Sequence, residues 1–216
     1  MGQADTLRGL QGLINSSRHK VTVCPRQGRA NMARNLLGIA GSSVLGAIID
    51  QTGGIVVADG FIKHLGGDNA TGDSLAEVNG LGDAERASVT ASLGALVVAI
   101  DMFGGIFALP TQATDPSQAT VRYLPYDGMV WEDFGIGHGD FVAWSMGESA
   151  RNLYPSQSNC DMSRGSVVRY EPPLWMRTVA DDRPKPSIVP IAAVVWERIG
   201  LSCAIYEATA PGKVTT

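Results

Sequence analysis

Residues Val97–Gln112 read VVAIDMFGGIFALPTQ, the most apolar stretch in a chain of 216 residues. Two apolar runs, Val97–Ile100 and Ile106–Leu109, flank Asp101, Met102, Phe103, Gly104 and Gly105. Runs rich in β-branched and aromatic residues, separated by Asp and Gly, predict two strands and the turn between them. An aspartate that closes the first strand can accept hydrogen bonds from turn amides, while glycine takes a positive φ without strain. The same I-D-x-x-G-G-I pattern stands earlier, at Ile49–Ile55 (IDQTGGI). Read alike, Asp50, Gly53 and Gly54 form one structural turn, and Asp101, Gly104 and Gly105 form a second. Neither then handles a reactant.

Three hairpins follow from this reading. The first runs Leu45–Leu65, with LGAIID as one strand, QTGG as the turn and IVVADGFIKHL as the return. The second is Leu93–Leu109, and the third is Ala119–Phe134 across Tyr126-Asp127-Gly128. Asp-Gly between apolar runs is a strong hairpin signal. Lys20–Cys24 (KVTVC) alternates as a short strand that Pro25 ends. Helical spacing appears at Leu7, Leu10, Leu13 and Ile14, and again at Ala30, Ala33, Leu36 and Leu37. A further helix follows His138, with Asp140 as its cap and Phe141, Trp144 and Ser145 on one side. The last starts near Ser187, tolerates Pro190 in its first turn, and buries Ile191, Val194, Val195 and Ile199. Gly66–Ala91 reads as a polar surface excursion, and Pro155–Lys185 as irregular.

These elements predict a single α+β domain over residues 1–216, with a core of about 21–207 and loose ends at 1–5 and 209–216. Its centre is a twisted antiparallel sheet of five or six strands built from consecutive hairpins, with helices packed on one face.

Composition narrows the function classes. Hydrophobic residues make up 44% and charged residues 18%, enough for a packed core. The longest apolar runs fall short of the roughly 20 residues of a membrane helix, so no membrane role is expected. The start lacks the basic-then-apolar order of a secretory leader, and the expected location is cytoplasmic. Cys24, Cys160 and Cys203 are far apart with no CxxC pair, which fits reduced thiols. Net charge is −4 with no basic run, so nucleic acid has no electrostatic support as a partner.

Gly72-Asp73-Ser74-Leu75 spells an esterase block, but no D-x-x-H follows to supply acid and base. Gly67–Ser74 has the glycine spacing of a phosphate loop, yet Asp73 stands where lysine must neutralise phosphate. His64 and His138, with Asp101, Glu132 and Asp133, are the remaining candidates for a metal or hydrolytic site. Three histidines without HxH or HxxxH spacing predict no metal and no cofactor. Trp131, Trp144, Trp175, Trp196, Tyr123, Tyr126 and Tyr170 read as core, and any exposed member suits a protein-binding face.

Three segments together resemble the bacterial domain of unknown function family 2625. They are SSVLGAIIDQTGGIVVADGFIKHLGG (Ser42–Gly67), the stretch from VVAIDMFGGIFAL to GIGHGDFVAW (Val97–Trp144), and YEPPLWMRTVADDRPKPSIVPIAAVVWE (Tyr170–Glu197). The resemblance runs from about Val21 to Glu207. Phe61, Gly67 and the acidic Gly80–Ser92 depart from the family's usual pattern. The order of strand, D-x-x-G-G turn, tyrosine strand, W-E strand and acidic-aromatic helix is also similar to the Smi/Knr-type SUKH superfamily. That likeness implies an α+β protein that acts as an immunity protein against a toxin, or as an intracellular regulator.

The leading expectation is a non-enzymatic protein-binding module of immunity or regulatory type. Its partner would be a toxin or another basic protein, met by Asp68, Asp73, Glu77, Glu132 and Asp133 on the two long loops and the W-E strand. The rival is a small-molecule-binding protein or hydrolase near the hairpin tips, with Asp101, His138 and Asp140 as acid and base. A homodimer through an exposed sheet edge is the third option.

Overall fold

The computed structural model describes residues 2–28, 32–82, 94–111, 119–154, 160–171, 173–174 and 185–209, with side chains to residue 200 apart from that of Met32. The opening stretch forms its central hairpin, β4 (Ala95–Asp101) and β5 (Ile106–Pro110). On one side lie β3 (Ile62–Leu65), β2 (Gly54–Val57) and the two-residue β1 (Thr22–Val23). On the other lie β6 (Thr120–Leu124) and β7 (Glu132–Gly137). Every pairing is antiparallel and spatial order follows chain order, giving a seven-stranded meander. Two further strands, β8 (Ser166–Glu171) and β9 (Lys185–Pro190), pair as a separate sheet.

The α+β class and the antiparallel hairpins are as expected, but the first predicted hairpin is not. Val44–Gln51 is a helix, α3, preceded by α1 (Gln3–Ser16) and α2 (Met32–Leu37). Ser43 caps α3 by accepting from the Gly46 amide at 3.0 Å, and Leu45–Ile49 are all buried. A continuous apolar run is ambiguous between buried helix and buried strand, and the cap decides it here. The true hairpin turn is Ala58-Asp59-Gly60, where all three residues have positive φ. The Asp59 carboxylate holds it to the chain before β1 by accepting from the Lys20 amide at 2.9 Å.

Cover is two-sided. Register aligns His64, Ala99, Phe107 and Tyr123 across the sheet, and aligns Lys63, Ile100, Ile106 and Leu124 in the next row. Neighbouring strand residues point to opposite faces, so the two rows meet different partners. The first row meets α5 (His138–Ser145): the Phe107 ring lies 4.7 Å from Phe141 and 4.5 Å from Tyr123. Trp144 and Phe134 extend that aromatic layer. The second row meets the segment after β3, where Lys63 pairs with Asp73, and the helix α7 (Ile191–Thr209) packs against that segment. All of Lys63, Ile100, Ile106 and Leu124 are 0% exposed.

The segment after β3 is no surface excursion as far as it is described. Asp73–Ala76 and Val78–Gly80 are buried around α4 (Leu75–Val78), and Asn79 bonds both the amide and the carbonyl of Val97 at 2.8 Å. Its remainder, residues 83–91, lies outside the described residues. Pro155–Lys185 is likewise not irregular throughout, since β8 occupies Ser166–Glu171. The last helix begins at Ile191, not near Ser187. Ser187 pairs with Arg169 in β9, and Pro190 closes that strand. Ile191, Val194, Val195 and Ile199 are buried as the spacing implies. At the other end, α1 begins at Gln3, inside the stretch expected to be loose. Asp140 is not the cap of α5: Gly137 holds that position, and Asp140 lies in the first turn, where the helix dipole favours a carboxylate. A short helix, α6 (Glu148–Arg151), follows.

Candidate binding cleft and buried polar centres

Asp101 ends β4 fully buried. Its Oδ1 accepts from the amides of Phe103 at 2.8 Å and Gly105 at 2.9 Å, and its Oδ2 accepts from the Tyr123 hydroxyl at 2.7 Å. Burial pushes its pKa up, while those three donors and the nearby Arg198 pull it down. The same burial, reinforced by the Asp101 charge, raises the Tyr123 hydroxyl far above its ordinary range. Gly104 has φ +86°, and a Cβ there would lie 2.7 Å from Val194 of α7. A Cβ on Gly105 would collide with Asp101 Oδ2 and the Tyr123 ring. The carboxylate is spent on main-chain amides and one phenol.

The earlier copy of the pattern is built differently. Asp50 lies near the end of α3, paired with Arg34 at 2.6 Å, and so closes no strand. Gly53 is required because a Cβ would meet the Pro25 carbonyl at 2.5 Å. Gly54 has φ +132° and starts β2.

His64 and His138 meet under α5. His64 Nε2 is 2.7 Å from Ser145 Oγ, which itself lies 2.8 Å from the Val142 carbonyl. Ser145 must donate to that carbonyl, so His64 Nε2 carries the proton and Nδ1 does not. The His138 ring stands edge-on at 6.4 Å, and neither of its nitrogens bonds a described residue. Parts of His138 reach solvent, but both ring nitrogens are buried. Desolvation lowers His64 to about 3, with help from His138, and lowers His138 to about 4. His138 therefore shares no hydrogen bond with Asp101, and Asp140 is exposed. The proposed acid–base trio is not assembled by hydrogen bonding. No group of three His, Cys, Asp or Glu among the described residues could hold a metal ion.

Ser74 of the esterase-like block is buried and shares a capping box with Glu77, its Oγ 2.8 Å from Glu77 Oε2. Asp73 is 1% exposed and ion-paired with Lys63, which is 0% exposed. Burial removes Asp73 from any contact face. Of the other acidic candidates, Asp68 is half-buried, while Glu77, Glu132 and Asp133 are exposed. Asp68 and Glu77 follow β3, whereas Glu132 and Asp133 lie on β7. Four strand spacings of about 4.8 Å, roughly 19 Å in all, separate β3 from β7 in the sheet.

A cleft that the motifs did not reveal opens beside the Asp101 turn. Phe103 of the turn and Tyr126 of the β6–β7 loop form one wall, with ring centroids 5.1 Å apart. Tyr170 of β8 stands 6.3 Å from Phe103 on the other side. Val194, Pro173 and Leu174 supply the apolar surface, and Arg169 and Glu197 the charge. The enclosed volume is about 20 Å³, room for roughly one water molecule. The wall is braced from behind. Tyr154 stacks on Phe61 at 5.0 Å, and the Arg151 guanidinium lies 4.5 Å over Phe61. Arg198 donates to the carbonyls of Pro125, Tyr126 and Gly128 at 2.6–2.9 Å, tying the β6–β7 loop to α7. Trp131 and Trp144 pack half-buried against the core, and Trp175 lies outside the described residues. The cleft residues come from four distant segments, and no local spacing marks them.

Comparison with known proteins identifies the family. Residues 3–164 match the family described as Protein of unknown function DUF2625, which is most of the chain. The chain belongs to this family. A protein of Haemophilus influenzae, described only as uncharacterized, is 25% identical over 148 residues, 67% of this chain and 63% of that protein. The chain thus spans less than two-thirds of that relative. The putative uncharacterized protein YbfG of Escherichia coli K12 is 21% identical over 173 residues, 77% of this chain and 78% of that protein. No solved structure matches significantly. Phe103 and Tyr126 lie within the segment matched to the family; Arg169, Tyr170, Val194 and Glu197 lie beyond it. No helix among the described residues is long and apolar enough to cross a membrane.

Proposed function

We propose that this protein is a non-enzymatic protein-binding module of immunity or regulatory type, and that the aromatic cleft between the β4–β5 turn and α7 is its recognition site. The observation that carries this reading is the make-up of the cleft: Phe103, Tyr126, Tyr170 and Arg169 converge on one small opening. Tyr and Arg in a pocket are the residues that most often dominate protein interfaces, because they add large contact area with few rotatable bonds. The hydrogen-bonded turn and the Arg198 clamp support rigidity, which lowers the ordering cost of association. The immunity or regulatory role rests on the SUKH-like order of motifs. A toxin or another protein is the partner it implies.

The test is capture of a partner from the source cell with the full chain, followed by titration of the purified partner against wild type and Tyr170→Ala. Truncating a central anchor is expected to cost about 2 kcal/mol, or roughly 30-fold in affinity. A partner that binds wild type and Tyr170→Ala equally would remove the cleft from the interaction. Failure to find a partner under native expression would remove the binding-module reading.

A further inference from the structure

Lys63 and Asp73 form a reactive pair that the cleft does not use. Lys63 sits within β3, between Val56 and Ile100 in register, and its Nζ donates to Asp73 Oδ2. Both side chains are buried. An ammonium has three protons to place, yet among the described residues Asp73 is the single hydrogen-bond partner of Nζ. An amide nitrogen would have one. The surroundings hold the two groups in contact. A Cβ on Gly54 would lie 3.1 Å from Lys63 Cε, and one on Gly165 would lie 3.3 Å from Asp73 Oδ2. The Leu75 amide donates to the Gly66 carbonyl at 2.9 Å and fixes the chain just beyond Asp73. The Thr71 hydroxyl lies 2.6 Å from Asp73 Oδ1 and 3.0 Å from Asn69 Oδ1, and the closer, charged acceptor takes its proton. The two carboxylate oxygens are thus divided, Oδ2 on the amine and Oδ1 on a hydroxyl.

We propose that Lys63 and Asp73 condense into an intramolecular amide, a covalent cross-link between β3 and the segment that leads into α4. The proposal is independent of the recognition reading above. The ion pair is its reactant, and chains that have not reacted keep it. One ammonium proton passes along the hydrogen bond to Oδ2, and burial lowers the cost of that transfer because two charges vanish. The Nζ lone pair then attacks Cγ, and negative charge develops on Oδ1, where the Thr71 hydroxyl donates. A second proton moves from nitrogen to Oδ2, the Cγ–Oδ2 bond breaks, and water leaves. Two of the three ammonium protons depart in that water and the third stays on the amide nitrogen, so the step balances without a co-reactant. Fixed contact replaces an encounter in solution by an intramolecular step, and a buried site keeps water from reversing it.

The experiment is mass spectrometry of the purified full chain, intact and after denaturation and trypsin. The intact mass is expected to fall below that of the sequence by one water molecule. Trypsin cuts an unmodified chain after Lys63 and releases residues 35–63 and 64–86. The cross-linked chain should instead give one fragment, residues 35–86, uncut at Lys63 and lighter by one water. Thr71→Val is expected to slow the bond about a hundredfold and leave freshly purified chains at the unreacted mass. An intact mass equal to that of the sequence, with Lys63 cut, would overturn the proposal and leave a plain ion pair. Water lost by ring closure at Asp59-Gly60 would also overturn it, because Lys63 would then stay open to trypsin. Thr71→Val chains that react as fast as wild type would overturn the assigned route. None of these results bears on capture of a protein partner.

Discussion

Lowering the pH from 7.5 to 5 is expected to remove a large part of the stability of this fold, through His64 and His138. Both rings are held neutral, with folded pKa values of about 3 and about 4 against an unfolded value of 6.5. A depressed histidine contributes its full stability above 6.5, where neither state binds the proton. Below 6.5 the unfolded chain takes up protons that the folded chain refuses, so stability falls until the folded values are reached. At pH 5 the deficit is about 1.5 pH units per ring, or on the order of 2 kcal/mol each and 4 kcal/mol for the pair. That is a substantial fraction of the 5–15 kcal/mol typical of a domain. The carboxylates with lowered pKa values, Asp59, Asp133 and Asp161, act in the same direction at lower pH, because an acid so shifted loses its contribution only as it protonates. Asp101, with its pKa raised, opposes the loss.

Urea denaturation at pH 7.5, 6.5, 5.5 and 5.0 measures this directly. The slope of unfolding free energy with pH should approach two protons between pH 6 and 5. In His138→Gln the slope should drop toward one, whatever the variant's absolute stability. A flat profile, or an unchanged slope in the variant, would show that the histidines titrate normally and that the buried pair is wrongly described.

Other perturbations test the remaining parts. Gly105→Ala places a methyl group against Asp101 and Tyr123 and is expected to cost about 3 kcal/mol or more by thermal and urea unfolding. Breaking the buried pair with Lys63→Met should cost about 3–5 kcal/mol, and adding Asp73→Leu should recover most of it, because the penalty is the buried carboxylate left without its counter-charge. Equal stability of the single and double variants would contradict that account. Ser43→Ala should lose about 1 kcal/mol if Ser43 caps α3, and almost nothing if Leu45–Asp50 were a strand.

The two copies of I-D-x-x-G-G-I show how far local pattern reaches. At Ile100–Ile106 the aspartate bonds turn amides and the glycines bend the chain, as the residues suggest. At Ile49–Ile55 the same letters terminate a helix. Both settings need glycine next to closely approaching backbone, at Gly53 against Pro25 and at Gly105 against Asp101. Local chemistry therefore reads alike in each. What separates them lies upstream: Ser43 supplies a cap to Leu45–Ile49, while Ala95–Asp101 finds strands on both sides to pair with. Alternation and turn signals were enough for the antiparallel sheet. They were not enough for its cover, because the polar-looking segment after Gly66 satisfies its polar groups internally through Lys63, Asn69 and Asn79.

The candidate site was less legible for a related reason. Residues that announce chemistry in a sequence, Asp101, Ser74, Asp73 and His64, are the ones the fold buries, and burial commits the first three to turning, capping and pairing. Phe103, Tyr126, Tyr170 and Glu197 look like core or helix surface one at a time. Their meaning comes from the Gly104–Val194 contact and the Arg198 clamp, which bring the hairpin tip, the Asp-Gly loop, β8 and α7 to one place. Gly104 makes that approach possible, since any side chain there would hold α7 away from the turn and separate Val194 and Glu197 from the aromatic wall. The cleft is thus a consequence of the turn chemistry, and a substitution that relaxes the turn is expected to weaken the proposed recognition, read by partner titration, before it unfolds the sheet, read by urea denaturation.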